Sequence, residues 1–401
     1  MTNSNAKLEQ ASAHELWNFR YLMLMLANFF TSLVHFCFLT LLPMYALRIG
    51  GNNTQAGLMT GLYSFAALFC RPLFGKMLDK LGRKPVLIIG LTLITLSSAA
   101  YIFTHSMLVF LFFRIINGIG FSAGSTAIAT VVADILPDKR LAEGIGYFGL
   151  SNTFGQAVGP FLGLWIIQNF GFPVFFICAV GVSVLSLSGT LTLKYEEKND
   201  SNIEKRYLTK PEKQEHGMLE AQLVWPILIL LLAATSNGSV MTFVTNYALS
   251  LGIDNIGSFF TVVSIGTILS RLVFGKLSNH LKLGSILVLA LIGILLSQFV
   301  LGFATKLWLF LIAAIFFGLG IGWTVPVINT IIVLFASAER KGSALAGFYC
   351  ALDIGVGGSA IIWGVIAQHF GYPPIYFLAA LNCGCALVLY YAALKKRLKA
   401  I

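Results

Sequence analysis

Five ionisable side chains interrupt long apolar runs: His35, Arg71, Arg114, Arg271 and Asp353. In hydrocarbon such groups are costly unless they pair or border water, so each is a candidate for moving charge through a membrane. Asp353 stands in Ala351-Leu352-Asp353-Ile354-Gly355, the one acidic residue set well inside a run. A carboxyl taken out of water can load and release a proton. A structural hydrogen bond within the packing around Gly355, Gly357 and Gly358 is the other reading. His35 has an imidazole that titrates near neutral pH and can relay protons; a satisfied polar core residue is equally open. Arg71 and Arg271 lie one turn before charged loops, where long basic side chains reach the headgroups, and they are expected to snorkel there. Arg114 lies deeper. An interior with His35 and Arg114 against a lone Asp353 favours neutral or anionic ligands over lipophilic cations.

The elements that hold these residues are membrane helices. The 401 residues are 57% hydrophobic and only 11% charged, which excludes a soluble globular protein. Inside lipid each backbone amide must be paired within its own segment, and about 20 apolar residues span the core as a helix. Twelve such runs are predicted: 20–46, 56–78, 86–103, 107–133, 144–168, 173–193, 225–250, 257–277, 284–303, 308–334, 343–369 and 374–394. The fold class is therefore an all-α membrane protein. Its expected parts are an N-terminal segment 1–19, a six-helix half 20–193, a linker 194–224, a second half 225–394 and a basic tail 395–401. Residues 8–19 read either as a surface helix or as a tail.

The net charge of +11 invites a nucleic-acid reading, but its placement argues against one. Lys and Arg crowd one set of alternate loops, and the other set holds only Arg48 and Lys306. The positive-inside rule then predicts both termini and the linker in the cytoplasm. The six cysteines fall within apolar runs, so neither a disulfide framework nor a thiol metal site is expected. A P-loop, a nucleophile–base pattern and metal-ligand spacing are all missing from the sequence, so no enzyme, cofactor or metal is predicted.

The chain repeats itself. Gly75-Lys76-Met77-Leu78-Asp79-Lys80-Leu81-Gly82-Arg83-Lys84 returns 200 residues later as a worn copy beginning at Gly275-Lys276 and ending at Gly284, with Asn279 in place of Asp79. Ser64, Arg71 and Phe74 answer Ser264, Arg271 and Phe274. Gly118 and Gly120 answer Gly318 and Gly320, and Gly155 answers Gly355. Phe170-Gly171-Phe172-Pro173 answers Phe370-Gly371-Tyr372-Pro373. Two similar six-helix halves entering from one side form a parallel repeat, the architecture of secondary transporters with a midplane site between the halves.

On these residues the chain resembles the major facilitator superfamily of transporters (MFS). Gly75 to Lys84 matches the loop signature G-x-x-x-D-[RK]-x-G-R-[RK] at every fixed position. Arg114 with Asn117, Gly118 and Gly120 resembles the motif that carries a membrane-buried arginine. Gly149, Gly155, Gly159-Pro160 and Gly163 resemble the antiporter motif G-x-x-x-G-P-x-x-G of the drug:proton antiporter branch, with Ala157 and Leu164 where further glycines are common.

The resemblance implies a gate at the cytoplasmic end built from Gly75, Asp79, Gly82, Arg83 and Asp134. Asp79 would face the start of the eleventh helix near Ser343, and Arg83 would bridge to Asp134. It also implies proton coupling through Arg114, to which Asp353 and His35 are added from their own chemistry. Gly155, Gly159 and Gly163 would let the fifth helix approach a partner closely, and Pro160 would bend it. The amides and aromatics Asn28, Tyr63, Asn152, Gln156, Asn237, Asn246, Trp323, Asn329 and Tyr349 either line the cavity or bond helix to helix.

The expected function is proton-coupled export of a small molecule, a drug or a metabolite, by alternating access. The expected setting is a bacterial inner membrane, and the partners are substrate, protons and lipid. One chain holds both halves of the path, so a monomer suffices. The rivals are an importer of a nutrient or organic anion, and a non-transporting sensor or scaffold.

Overall fold

The computed structural model describes residues 17–136, 140–191, 222–336 and 341–398; within these, the side chains of Asp79, Leu141, Ala142 and residues 274–280 and 341–343 are not described. The expected N-terminal segment and most of the linker therefore lie outside the described residues, as does the end of the tail.

The apolar runs form helices throughout. They are α1 (Phe19–Arg48), α2 (Asn53–Leu81), α3 (Arg83–Phe103), α4 (Met107–Ile135), α7 (Val224–Ser250), α8 (Gly257–His280), α9 (Leu283–Gly302), α10 (Leu307–Phe335), α11 (Lys341–Phe370) and α12 (Pro373–Leu389). Between α4 and α7 the helical stretch Leu141–Leu191 breaks at Gly171, with φ of 82° and ψ of 175°. Among the described residues eleven stretches are long and apolar enough to cross a membrane, one of them 49 residues long. Forty-nine residues would make a rod of about 74 Å against a hydrocarbon core of about 30 Å. The break at Gly171 resolves this by folding the stretch back as α5 (141–170) and α6 (172–191), so twelve spans result. Gly371, with φ of 79°, turns α11 into α12 at the equivalent place. Only glycine takes these left-handed dihedrals without a steric penalty.

Local signals set the helix starts. Asn18 accepts from the Tyr21 amide at 2.8 Å, and Asn52 and Gln55 form a reciprocal capping box that starts α2 three residues before the predicted boundary. Prolines 43, 72, 160 and 326 sit inside α1, α2, α5 and α10, which continue through them.

The repeat extends into the packing. Gly118 of α4 lies against the Tyr63 carbonyl of α2, and Gly318 of α10 lies against the Val263 carbonyl of α8. Gly120 meets Gly90 O and Ile94 N of α3; Gly320 meets Ala290 O and Ile294 N of α9. Gly155 and Gly159 of α5 are pressed on α1, where an added Cβ would come within 2.7 Å of Ser32 Cβ and 2.8 Å of Leu33 O. Their counterpart Gly355 of α11 is pressed on Ala234 and Leu231 of α7. Gly155, Gly159 and Gly163 of the antiporter motif thus pack helices within the first half, not across the two halves, and Gly149 packs against nothing within 4 Å.

The halves meet mainly along two seams, α2 with α11 and α5 with α8, with α1 also touching α7. At the end bearing Arg48 and Lys306 these seams are closed. Asn53 N donates to Gln368 Oε1 at 2.9 Å, and Tyr372 Oη donates to Asn53 Oδ1 at 2.9 Å. On the other seam Gln168 Nε2 donates to the Asp254 carbonyl at 2.6 Å. Gly57, Gly61, Gly357 and Gly364 let α2 and α11 touch backbone to backbone there. Toward the basic end a wide space reaches Glu143 and Gly146 at the start of α5.

Candidate functional site

A cavity of about 240 Å³ lies between the halves. The first half contributes His35 of α1, Tyr63 of α2, Phe121 of α4, and Asn152 and Gln156 of α5. The second contributes Asn237 of α7, Thr267 and Arg271 of α8, Thr324 of α10 and Asp353 of α11. A second, wider space of about 570 Å³ adjoins it between α5, α8 and α10, and both are lined by Arg271 and Val325. The wider space carries Asn329, Gly149 and Glu143 on its wall. The site is therefore a chamber with a mouth toward the basic end.

The carboxylate of Asp353 is not alone. Arg71 Nε donates to Asp353 Oδ2 at 2.9 Å, which ties α2 of one half to α11 of the other. The Arg71 side chain is 26% exposed and that of Asp353 18% exposed. Tyr349 closes over the arginine, its ring centroid 5.7 Å from Cζ. The expectation that Arg71 snorkels to the headgroups is thus corrected: an opposite charge across the seam satisfies the guanidinium, and a water surface is not needed. Arg271 is corrected likewise. It turns inward, lines the chamber and bonds through Nη1 to Thr153 Oγ1 of α5.

Arg114 is completely buried. Nε donates to the Met59 carbonyl at 2.7 Å and Nη1 to Asn117 Oδ1 at 3.0 Å; Asn117 in turn donates to Ser97 Oγ at 2.8 Å. The guanidinium carbon lies 4.0 Å from the Tyr63 ring centroid, a desolvated cation–π contact on the order of 2 kcal/mol. Tyr63 therefore stands between Arg114 and the chamber. Its hydroxyl meets His35 Nδ1 at 2.6 Å, and the imidazole stacks on Phe121 with centroids 4.2 Å apart. Arg114, Tyr63 and His35 form one row from the centre of the first half to the chamber wall. Arg114 touches the chamber only through Tyr63.

Of the amides and aromatics named from the sequence, Asn152, Gln156, Asn237 and Tyr63 line the chamber. Asn28 instead donates to Ser151 Oγ at 2.7 Å and ties α1 to α5. Trp323 Nε1 donates to the Ser270 carbonyl at 2.7 Å and ties α10 to α8. Tyr349 is half exposed and faces Arg71. For these three the cavity-lining reading is corrected to the helix-to-helix one, because each engages a neighbouring helix with its polar atom or its face.

At the basic end Gly82 joins α2 to α3 with φ of 86°, and Arg83 Nε donates to Asp134 Oδ2 at 3.0 Å while Nη1 reaches the Leu78 carbonyl at 3.1 Å. The side chain of Asp79 and that of Ser343 lie outside the described residues.

Two partnerships are not foreseen from the sequence, Arg71 with Asp353 and Arg271 with Thr153. A signal for them existed. The offset of 200 that relates Arg71 to Arg271 also relates Thr153 to Asp353, so the two seams carry equivalent positions.

Comparison with known proteins agrees with this architecture. The chain is 23% identical over 355 residues to the staphylopine export protein of Staphylococcus aureus (strain Mu50 / ATCC 700699), covering 87% of this chain and 88% of that protein. It is 23% identical over 401 residues to the multidrug resistance protein MdtG of Escherichia fergusonii, covering 95% and 96%. Among solved structures, a mutant of the nucleoside transporter NupG superposes with a TM-score of 0.74 at 15% identity, covering 93% of this chain and 99% of that one, which is a likeness of fold alone. The profile of the Major Facilitator Superfamily matches residues 24–301 and 227–400. With two repeated six-helix halves around a central chamber, the chain belongs to the Major Facilitator Superfamily of membrane transporters.

Proposed function

We propose that this protein is a proton-coupled antiporter that exports a small molecule by alternating access, in the plasma membrane of a bacterium, with the basic end in the cytoplasm. The observation that carries this reading is the Arg71–Asp353 pair, an ion pair that bridges the two halves at the edge of the chamber. Protonating Asp353 removes one of the two charges that hold α2 to α11, so proton loading and the closing of the halves share one bond. A ligand shifts such a two-state equilibrium only by its differential affinity for the two states, and here the proton is one such ligand. The row from Arg114 through Tyr63 to His35 brings a second polar group, the imidazole, to the chamber wall. The efflux names of the relatives favour the outward direction. The chemistry needs no bond made or broken in the substrate, so the protein acts as a transporter and not as an enzyme, and one chain suffices.

The test is flux in proteoliposomes of known orientation with an imposed pH gradient. Uptake into vesicles whose lumen is acidic, reversed when the gradient is reversed, is expected. Asp353→Asn should lose this gradient-driven accumulation by about tenfold or more, since a permanently neutral residue cannot cycle, while substrate exchange without a gradient persists. Gradient-driven accumulation at wild-type level in Asp353→Asn would remove the carboxyl from the mechanism. Accumulation with the gradient, into an alkaline lumen, would make the protein a symporter.

A further inference from the structure

The two seams are equivalent by the repeat, yet their charges are not. On the α2–α11 seam Arg71 faces Asp353. On the α5–α8 seam Arg271 faces the equivalent position, and that position is Thr153. Among the described residues the first guanidinium has a carboxylate partner and the second has none. Two acids border the chamber and its mouth, and both are engaged: Asp353 by Arg71, and Glu143 by Arg140 through two bonds of 2.9 Å. Among the described residues no carboxylate lies within ion-pair distance of Arg271.

A guanidinium without a counter-ion at membrane depth is expensive unless it serves a pathway. Arg114 is also without an acid, but it is sealed behind Tyr63 and held by a carbonyl and an amide. Arg271 borders both the chamber and its mouth, so an incoming molecule passes it. The fork of a guanidinium matches a carboxylate or phosphate in two parallel hydrogen bonds, and Thr153 occupies only Nη1. Across the chamber the carboxamide oxygen of Asn237 is buried without a hydrogen-bond partner. A ligand that brings a donor satisfies it.

We propose that Arg271 is the anion-binding residue of the chamber, and that the transported molecule is a small organic acid whose carboxylate or phosphate takes the place opposite Arg271 that Asp353 takes opposite Arg71. The molecule also carries a hydroxyl or amine for Asn237. This rests on the transporter reading above and supplies its substrate class. It also assigns the seams different tasks: one holds its anion permanently and titrates it, and the other borrows its anion from the cargo.

The test is binding to purified protein in detergent, with no gradient, by thermal melting and equilibrium titration at constant ionic strength. The probes are citrate, nitrilotriacetate and glucose 6-phosphate, with ethidium as the cationic control. At least one of the three anions should stabilise wild type, and ethidium should not. Stabilisation by the first two alone assigns a carboxylate, and by the third alone a phosphate ester. Thr153→Asp supplies the missing carboxylate, so it should fold normally yet weaken anion binding by about tenfold or more. Arg271→Gln should weaken it equally, and Arg271→Lys should retain part of it. Should no anion of the three stabilise wild type, or should binding survive in both Thr153→Asp and Arg271→Gln, the assignment is overturned. Binding needs neither direction nor coupling. An anion bound at Arg271 without gradient-driven flux would therefore refute the antiporter and leave this site standing. Gradient-driven export of ethidium alone would do the reverse.

Discussion

The two halves share a skeleton and differ in charge. Gly118 and Gly318, Gly120 and Gly320, Gly155 and Gly355, and Gly171 and Gly371 each make the same contact or turn in their own half. Apart from Ser64 with Ser264 and Arg71 with Arg271, few of the buried polar groups repeat. Where the first half has Arg114, Asn117, Met59 and Tyr63, the second has Ala314, Phe317, Phe259 and Val263. Where the first half has Gly82, Arg83 and Asp134, the second has Lys282, Leu283 and Leu334. The first half thus carries an internal charge nest and a charged hairpin on a skeleton that the second half uses for apolar packing. Packing at a helix crossing tolerates few alternatives because a side chain would overlap a backbone, whereas a polar group is free to be lost once its partners are gone.

The sharpest way to break the comparison is to move a charge. Ala314→Arg places a guanidinium at the position equivalent to Arg114, where Phe317 replaces the Asn117 amide and Val263 replaces the Tyr63 ring. A buried charge left uncompensated costs about 3 kcal/mol or more, so this variant should fail to yield monodisperse protein on size exclusion. A well-behaved Ala314→Arg protein would show that the nest around Arg114 is not what pays for its burial.

The next test examines the shared skeleton. Gly118→Leu and Gly318→Leu each drive a side chain into the backbone of a neighbouring helix, and both should lower stability by about 1–3 kcal/mol. The prediction is equality. Melting temperatures that fall in one variant and not in the other would mean that the two crossings carry different loads. The smallest effect concerns the hairpin at the basic end. Gly82 has φ of 86°, so Gly82→Ala should cost about 1–2 kcal/mol. Lys282 sits at φ of −63°, so Lys282→Gly should change stability by about 1 kcal/mol or less.

Much of the fold was legible in the sequence because its determinants are local or periodic. Apolar run length gave the spans, and the offset of 200 gave the halves. The Phe-Gly-aromatic-Pro repeats marked the turns at Gly171 and Gly371. The site was less legible because its decisive contacts cross the chain. Arg71 and Asp353 are 282 positions apart, and nothing near either names the other. Position along a helix put Arg71 and Arg271 near the headgroups, but which face of the helix they occupy is a property of the assembled bundle. The same is true of Asn28 and Trp323, whose polar atoms a neighbouring helix consumes. For His35 and Arg114 the sequence identified the residues, and only the packed structure supplies Tyr63 as the link between them.

The closed end has a consequence of its own. Its clasps, Asn53 with Gln368 and Tyr372 on one seam and Gln168 with the Asp254 carbonyl on the other, join neutral amides, a phenol and backbone. Mobile ions screen exposed charges over about 10 Å at 0.1 M, and neutral hydrogen bonds present no monopole to screen. The opposite end, with Arg83 on Asp134 and Arg140 on Glu143, is charged and partly exposed. The two entrances therefore differ in what they sense. The hydrogen bonds of the clasped entrance are indifferent to the ionic strength of the fluid that bathes them, and the ion pairs at the basic end weaken as salt rises.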